Sequence, residues 1–295
     1  MKTCLDSLKG IDYSNYRVIV ADDCSTDNSE ELIRKDYPSV EIVKTASRSG
    51  FSVNNNNALH YARDRYNPEY FLLLNNDIIL VREDCFSRIV DCASEDAGIG
   101  IVGVKLLYPE GKIQHAGITA GATVFNRGRA QQDRGQYDFI AEAEGVTGAF
   151  FLITAKALNT VGLFDEKLYM GMEDVDYCLR ARKAGFKVVY NGLVSAVHLE
   201  GASSTHSQRQ DFADERFIMN QTGNVYFAFK HLKNPFLIMS VIIYNLAGSI
   251  LTIEDKNRSR RIGNIRFKDR IAWRFTETLK AIVMGYKVFR SSLGK

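Results

Sequence analysis

The sequence predicts an α/β fold, a mostly parallel sheet with helices on both faces. Short apolar runs recur at 16–21, 40–44, 70–75, 100–107, 147–153 and 187–190. Helical patterns lie between several of them, at 27–36, 53–66, 83–94 and 173–184. Strands alternating with helices are the pattern of a sheet covered on both sides. Two of the runs end directly in acidic or amide clusters, and in α/β proteins ligands bind at the carboxyl ends of strands.

The elements follow in chain order. Residues 1–10 read as the end of a helix closed by Gly10. Val18–Ala21 reads as a buried strand that ends in Asp22 and Asp23. A turn with Ser25, Thr26 and Asp27 follows, and Asp27 with Glu30 has capping-box spacing. Two carboxylates at a strand end suit a base, a ribose or a metal. Asn54–Asn57 form the only low-complexity run; Asn tolerates unusual backbone angles and caps helices. Tyr70–Asn75 is a second strand ending in Asn75-Asn76-Asp77, a turn-favouring triplet. Residues 108–146 are rich in Gly and polar side chains and hold Arg127, Arg129 and Arg134. They are expected to form an irregular excursion over the face that carries the site. Glu173-Asp174-Val175-Asp176 opens a helical run. Acids favour a helix N-terminus, which explains having acids there but not three of them. His198 follows a short apolar strand.

The bulk numbers exclude several classes. A chain of 295 residues, 45% hydrophobic and 25% charged, holds one large or two small domains. A net charge of +3 argues against a nucleic-acid binder. The five cysteines, Cys4, Cys24, Cys85, Cys92 and Cys178, form no Cys-x-x-Cys pair. They fit a reducing cytoplasm rather than a disulfide framework or zinc site. No signal-peptide pattern opens the chain. No Gly-x-Gly-x-x-Gly follows a predicted strand, so dinucleotide-dependent redox chemistry is a poor fit.

Near residue 215 the chain changes character, giving expected domains of 1–215 and 216–295. Residues 235–253 carry no formal charge, whereas 254–274 hold eight Lys or Arg against three acids. Ile271, Phe275, Leu279, Ile282, Tyr286 and Phe289 then repeat at helical spacing with Arg274, Lys280, Lys287 and Arg290 between them. That is a basic amphipathic helix. The apolar run just reaches the ~20 residues of a span. Basic residues flank it on both sides, though, with Lys230 and Lys233 before it, so a single crossing conflicts with the positive-inside tendency. The favoured expectation is a helical region lying on the inner face of the plasma membrane, in contact with anionic lipid. A helix packed on the preceding domain is the alternative.

Taken together, these motifs resemble the family 2 glycosyltransferases of GT-A fold, closest to a bacterial branch that includes rhamnosyltransferases. The resemblance covers roughly residues 1–205. It implies an inverting, metal-dependent enzyme that moves a sugar from a nucleotide-sugar donor, dTDP-rhamnose or a UDP-hexose, to a cell-surface polysaccharide or lipid-linked glycan. Asp22 matches the family's aspartate for the nucleotide, with Asp23 the weaker candidate. Gly50-Phe51-Ser52-Val53-Asn54-Asn55-Asn56-Asn57-Ala58 is similar to a donor-side element, which makes Asn55 and Asn56 candidates. Asn75-Asn76-Asp77 occupies the place of the Asp-x-Asp signature. The resemblance implies that Asp77 binds Mg²⁺ or Mn²⁺ and that Asn76 lies by the donor; one or two carboxylates plus phosphate suffice for such an ion. His198, in Val197-His198-Leu199-Glu200-Gly201, resembles the histidine that approaches metal or diphosphate. Gly171-Met172-Glu173-Asp174-Val175-Asp176 resembles the element that carries the base. That implies Asp174 as catalyst, Glu173 by the acceptor, and Asp176 by the acceptor or supporting the fold. Thr147-Gly148-Ala149 resembles the floor of the donor pocket, which adds Gly148. Val161-Gly162-Leu163-Phe164-Asp165-Glu166 resembles the loop before the base. Ile113-Gln114-His115-Ala116-Gly117 also resembles an element of this branch, with no role assigned.

The match departs from the family at the start. Members begin with an apolar strand in the middle of the sheet, and this chain resembles them from the first helix onward. The expectation is an unpaired sheet edge and weakened donor binding. That departure, with Asn75 in place of the first signature Asp, also raises an alternative: a non-catalytic, membrane-associated relative that binds or scaffolds.

Overall fold

The structure is a computed structural model that describes residues 1–120, 124–199, 210–251 and 267–293. It forms two compact units, residues 1–166 with 173–208 and residues 167–172 with 209–295.

The first unit contains α1 (Lys2–Leu8), β1 (Ile19–Asp22), α2 (Ser29–Asp36), β2 (Glu41–Lys44), α3 (Gly50–Tyr66), β3 (Tyr70–Leu74), β4 (Ile78–Leu80) and α4 (Cys85–Ser94). The longer β5 (Ile99–Leu107) follows, then short strands β6 (Ile113–His115), β7 (Ile118–Ala120), β8 (Val124–Asn126) and β9 (Ile140–Glu142). β10 (Phe150–Thr154), α5 (Ala155–Val161), α6 (Glu173–Lys183) and β11 (Lys187–His198) complete it. The main sheet runs β3-β10-β5-β11-β4, with β6 on β5 and β9 on β11.

This sheet is mixed, not mostly parallel. β11 is parallel to β5, but β10 is antiparallel to both β3 and β5, and β11 is antiparallel to β4. The cause lies in residues 108–149. After β5 the chain stays at that strand's carboxyl end, so it enters β10 from there and must run backwards. Alternation of strands and helices counts crossovers but does not record which end a strand is entered from. The same stretch is less irregular than its composition suggests, since it holds β6 to β9. Half-buried Arg127 is one of its structural centres: Nε donates to Ala116 O at 2.7 Å, and the guanidinium lies 5.3 Å from the Tyr190 ring centroid and 5.4 Å from that of Phe139.

Both faces of the sheet are covered, and the strands alternate between them at period two. Val102, Val104 and Leu106 of β5, with Phe150 and Leu152 of β10, pack with Ile33 of α2 and Phe86 and Ile89 of α4. Ile101, Phe151, Ile153 and Val188 face the opposite way and pack with Leu59 of α3, Leu158 of α5 and Tyr177 of α6. Each such side chain contributes about 1.5–3 kcal/mol on burial. β11 continues to His198, well past the 187–190 run. Gly192 explains the interruption in the pattern: a Cβ there would sit 1.9 Å from Tyr137 O, so only a bare backbone fits.

β1 and β2 form a separate parallel pair, and β3 ends the main sheet. Among the described residues, the other edge of β1 and the outer edge of β3 therefore carry no strand partner. Val20, Ile42, Leu72 and Leu74 nonetheless pack on one hydrophobic cluster.

The second unit holds α7 (Gln210–His231), α8 (Pro235–Leu251) and α9 (Phe267–Ser292). In the segment before α6, Leu168 is buried and Lys167 Nζ lies 5.9 Å from the Tyr226 ring centroid. The apolar stripe expected on α9 is not its main packing face. Thr278 and Ala281 are buried, and a Cβ on Gly285 would lie 2.8 Å from Thr222 O and Val225 Cβ. Small residues let α7 and α9 approach closely, and the large ones are displaced outward. Phe275, Leu279 and Tyr286 stay 39%, 43% and 44% exposed. Phe289 instead stacks on Phe229 at 5.6 Å. Among the described residues, no helix is long and apolar enough to cross a membrane. Most of the basic cluster of 254–274, and Glu200 and Gly201 of the histidine element, lie outside the described residues.

Candidate active site

The register of β4 against β11 builds one half of the site. His198 pairs with Ile78, and Leu199 N donates to Asp77 O at 3.0 Å. The side chains of Asp77 and His198 are thereby brought together, with Oδ1 3.1 Å from Nε2. Both are largely buried. On the other side of the ring, Nδ1 lies 2.6 Å from Oε1 of buried Gln114.

The donor set, one carboxylate oxygen and one imidazole nitrogen, fits a divalent cation that accepts both, such as Mn²⁺. Two ligands each about 2.1 Å from one ion and at right angles lie about 3.0 Å apart, close to the 3.1 Å observed. Among the described residues, no cluster of three His, Cys, Asp or Glu side chains could hold a metal. This pair therefore suits an ion that takes its remaining ligands from water and phosphate, as Mg²⁺ commonly does.

The other half is built around the turn before β10. Asn75 N donates to Ala149 O at 2.9 Å, which ties the Asn75–Asp77 turn to residues 147–149. Asp174, in the first turn of α6, accepts from Gly148 N at 2.8 Å through Oδ2 and from Val175 N at 2.8 Å through Oδ1. Burial raises its carboxyl above the ordinary carboxylate range, and the donors from Gly148 and Val175 oppose the rise without cancelling it. Gly148 is hemmed in: a Cβ there would lie 3.2 Å from Phe51 Cζ and 3.4 Å from Asp174 Cβ. The backbone turns into this helix through Gly171 and Met172, both at positive φ (90° and 70°). For Met172 that is strained, as is common beside functional residues.

His115 supports the same turn. Its Nε2 accepts from Gly117 N at 3.2 Å and from Thr147 N at 3.4 Å, while Nδ1 lies 3.1 Å from Asn126 Oδ1. Nδ1 must hold the proton, and burial depresses the pKa to about 4, so the ring stays neutral.

Asp22 ends β1 and is buried; Oδ1 accepts from Ser25 N at 2.9 Å, and Lys44 Nζ lies 3.4 Å from Oδ2. Asp23, beside it, bonds to the start of α3. Oδ1 takes Ser49 N and Oγ at 2.7 Å each and Thr45 Oγ1 at 3.2 Å, and Oδ2 takes Gly50 N at 3.0 Å. It satisfies donors at the start of α3, which is why that helix begins at Gly50.

Asn56 is likewise committed. Buried, it exchanges bonds of 3.0 Å with Phe164 N and O and donates to Glu166 Oε1 at 3.2 Å, latching α3 to the 164–166 loop. Asn55 donates within α3 to Phe51 O at 2.9 Å. Asp176 is fully buried and binds Arg180 Nε at 2.8 Å. The same guanidinium holds Val161 O and Leu163 O at 3.1 and 2.9 Å. These three side chains are held by bonds within the fold. Asn76 lies in the turn between β3 and β4, and Glu173 is buried at the first position of α6. Sequence reasoning assigned no role to Gln114 and His115, and named Thr147 only within the turn that carries Gly148. The signal for Gln114 and His115 was the Ile113–Gly117 element, whose role depends on contacts far away in the chain.

Residues 1–160, more than half of the chain, match the family described as Glycosyl transferase family 2. The chain belongs to that family. It is 27% identical over 215 residues to the O-antigen biosynthesis protein RfbC of Myxococcus xanthus, covering 69% of this chain. The chain spans 16% of RfbC's own length and 22% of that of another curated relative. It is 25% identical over 235 residues to the rhamnosyltransferase WbbL of Escherichia coli, covering 74% of this chain and 83% of WbbL. Among solved structures it is similar to the mannosyltransferase PcManGT from Pyrobaculum calidifontis, in complex with GDP-Man and Mn²⁺, with a TM-score of 0.52 at 16% identity over 98% of this chain and 82% of that one. This likeness supports a GT-A-like α/β fold with a mixed sheet.

Proposed function

We infer that this family 2 glycosyltransferase is an inverting, metal-dependent enzyme. It moves a sugar from a nucleotide-sugar donor to a cell-surface polysaccharide or lipid-linked glycan. The observation that carries this reading is the pairing of Asp77 and His198 at 3.1 Å, in the unit that also holds half-buried Asp174 with its raised carboxyl. A divalent ion held by Asp77 and His198 would neutralise the leaving diphosphate. Asp22 binds the nucleotide, and Asn76 and the Gly148 turn contact the donor. Asp23 and Asn56 serve by fixing α3. Asp174 takes the proton from the acceptor hydroxyl as it attacks the anomeric carbon, and a single displacement inverts that centre. Glu173 lies by the acceptor. Similarity to the rhamnosyltransferase WbbL supports rhamnose as the sugar; our reading takes it from a dTDP donor, with UDP-hexoses as the other class.

Calorimetry with UDP and dTDP, with and without Mn²⁺, tests this reading. Metal-dependent binding of one nucleotide is expected; a folded sample that binds neither would overturn the donor site. The open edges of β1 and β3 support a further strand that pairs there. The same titration on a chain extended by an apolar N-terminal strand is therefore expected to show tighter binding and higher thermal stability, and no gain in either rejects that part.

The second unit supports work at a membrane surface on the inner, cytoplasmic side. Phe236, Met239, Ile243 and Tyr244 of α8 are 82%, 53%, 58% and 69% exposed. An apolar helix face beside basic sequence suits an anionic leaflet. Co-sedimentation with vesicles containing phosphatidylglycerol is expected, and weaker pelleting after Phe236→Asp with Ile243→Asp. Equal recovery in the supernatant with and without vesicles would reject the idea.

A further inference from the structure

We propose that Gln114 is a positioning residue that sets the tautomer of His198 and so keeps Nε2 open for the metal. The proposal rests on the metal reading of Asp77 and His198 and extends it to a residue that touches neither ion nor substrate.

Three observations carry it. First, β6 is bulged at Gln114. Leu106 pairs with His115 and Leu107 with Ile113, so the register shifts by one residue at Gln114. Bulges re-aim a side chain and recur beside active sites. Second, the side chain is buried and its amide oxygen is turned to the ring, Oε1 to Nδ1 at 2.6 Å. An amide oxygen can only accept, so Nδ1 carries the proton. Third, the far nitrogen faces a carboxylate oxygen at 3.1 Å. When the ring is neutral with its proton on Nδ1, it points a lone pair at Asp77, an arrangement a cation between them would relieve; when both nitrogens carry protons, Nε2 donates to Asp77 and the cation takes that proton's place.

The opposite orientation of the amide shows why the choice matters. With the NH₂ group turned to Nδ1, the proton would move to Nε2 and be donated to Asp77. That state is self-satisfied and closed to metal. Outer partners of this kind typically change metal affinity by about 10–100-fold.

The test compares the wild type with Gln114→Met, Gln114→Glu, Asp77→Asn and His198→Gln, all as the full chain. Mn²⁺ affinity is read by electron paramagnetic resonance in the presence of UDP and, in parallel, dTDP. Gln114→Met should weaken Mn²⁺ at least tenfold, as the apolar side chain no longer selects a tautomer. Gln114→Glu should stay within about threefold of wild type, because a carboxylate also accepts from Nδ1–H. Wild-type affinity in Gln114→Met, or a loss in Gln114→Glu as deep as in Asp77→Asn, would overturn the proposal. If Asp77→Asn and His198→Gln bind Mn²⁺ normally, the metal reading itself has failed and this proposal falls with it.

A second readout needs neither metal nor a variant that folds. In wild type labelled with ¹⁵N-histidine at pH 8, with the His198 signals assigned sequentially, Nδ1 should be protonated and Nε2 bare. A bare Nδ1, or a proton on Nε2, would overturn the proposal.

Discussion

Replacing Asp174 by Asn should lower turnover by about 10³-fold while leaving nucleotide affinity within a few-fold of wild type. A positioned general base contributes typically 10²–10⁴-fold, and Asn cannot take the acceptor proton. In the proposed reading the donor side is built from other residues. Asp77 and His198 are joined through the β4–β11 register, and Asp22 sits on a separate strand pair. Single-turnover kinetics with saturating donor separate the two effects. This variant also separates an enzyme from a non-catalytic relative. A scaffold would lose nothing measurable, and loss of nucleotide binding together with turnover would assign Asp174 to the donor site instead.

The raised carboxyl of Asp174 adds a pH signature. The acid limb of kcat/KM should lie above the ordinary Asp value of 3.8, because the base is silenced once protonated. The stability consequence has the opposite sense from a typical salt-bridged Asp. Its folded-state pKa lies above its unfolded value, so its contribution is fully present below the unfolded value and is lost as pH rises through the folded one. Relative to Asp174→Asn, the wild type should therefore be more stable near pH 4 than near pH 8. Asn gives up one of the two backbone acceptors, an offset of about 0.5–1.5 kcal/mol that does not vary with pH. Denaturant unfolding of both proteins at the two pH values measures the difference. A pH-independent difference would mean that Asp174 titrates in the fold as it does in the unfolded chain.

Much of the fold is legible in the sequence because the central strands are buried on both faces. Ile99–Leu107, apolar but for Lys105, and Phe150–Ile153 follow no helix period. Strand direction was not legible, since it depends on which end of the sheet the 108–149 stretch occupies. At the site, composition alone does not distinguish ligand from support. Asp22 and Asp23 are neighbours of one type, yet Asp23 spends both oxygens on the start of α3. Asp174 and Asp176 differ in the same way, as Asp176 faces Arg180 one turn further along the helix. The partner of His198 was beyond sequence reasoning altogether. It stands 84 residues away, on a bulge that only the pairing of β6 with β5 reveals.

Asp77→Asn is expected to abolish the metal dependence of nucleotide binding, at a cost of at least ~10² in affinity with Mn²⁺ present, without loss of stability. The two effects part because of what Asp77 faces. In the wild-type pair Oδ1 and Nε2 stand 3.1 Å apart, and when the ring is neutral with its proton turned to Gln114 both atoms offer lone pairs. An Asn amide can turn its NH₂ group to Nε2 and donate to that lone pair. The fold gains a contact worth about 0.5–1.5 kcal/mol, and the site loses its one anionic ligand. Function-bearing groups are often held in arrangements the fold alone would not choose, so that removing them stabilises the protein. Thermal unfolding without metal should therefore give Asp77→Asn a midpoint equal to or above that of wild type. With Mn²⁺ and nucleotide added, the order should reverse, since only the wild type gains the stabilisation that ligand binding confers on the folded state. A lower midpoint for the variant in both conditions would make Asp77 a structural residue and remove the basis for a metal at this position.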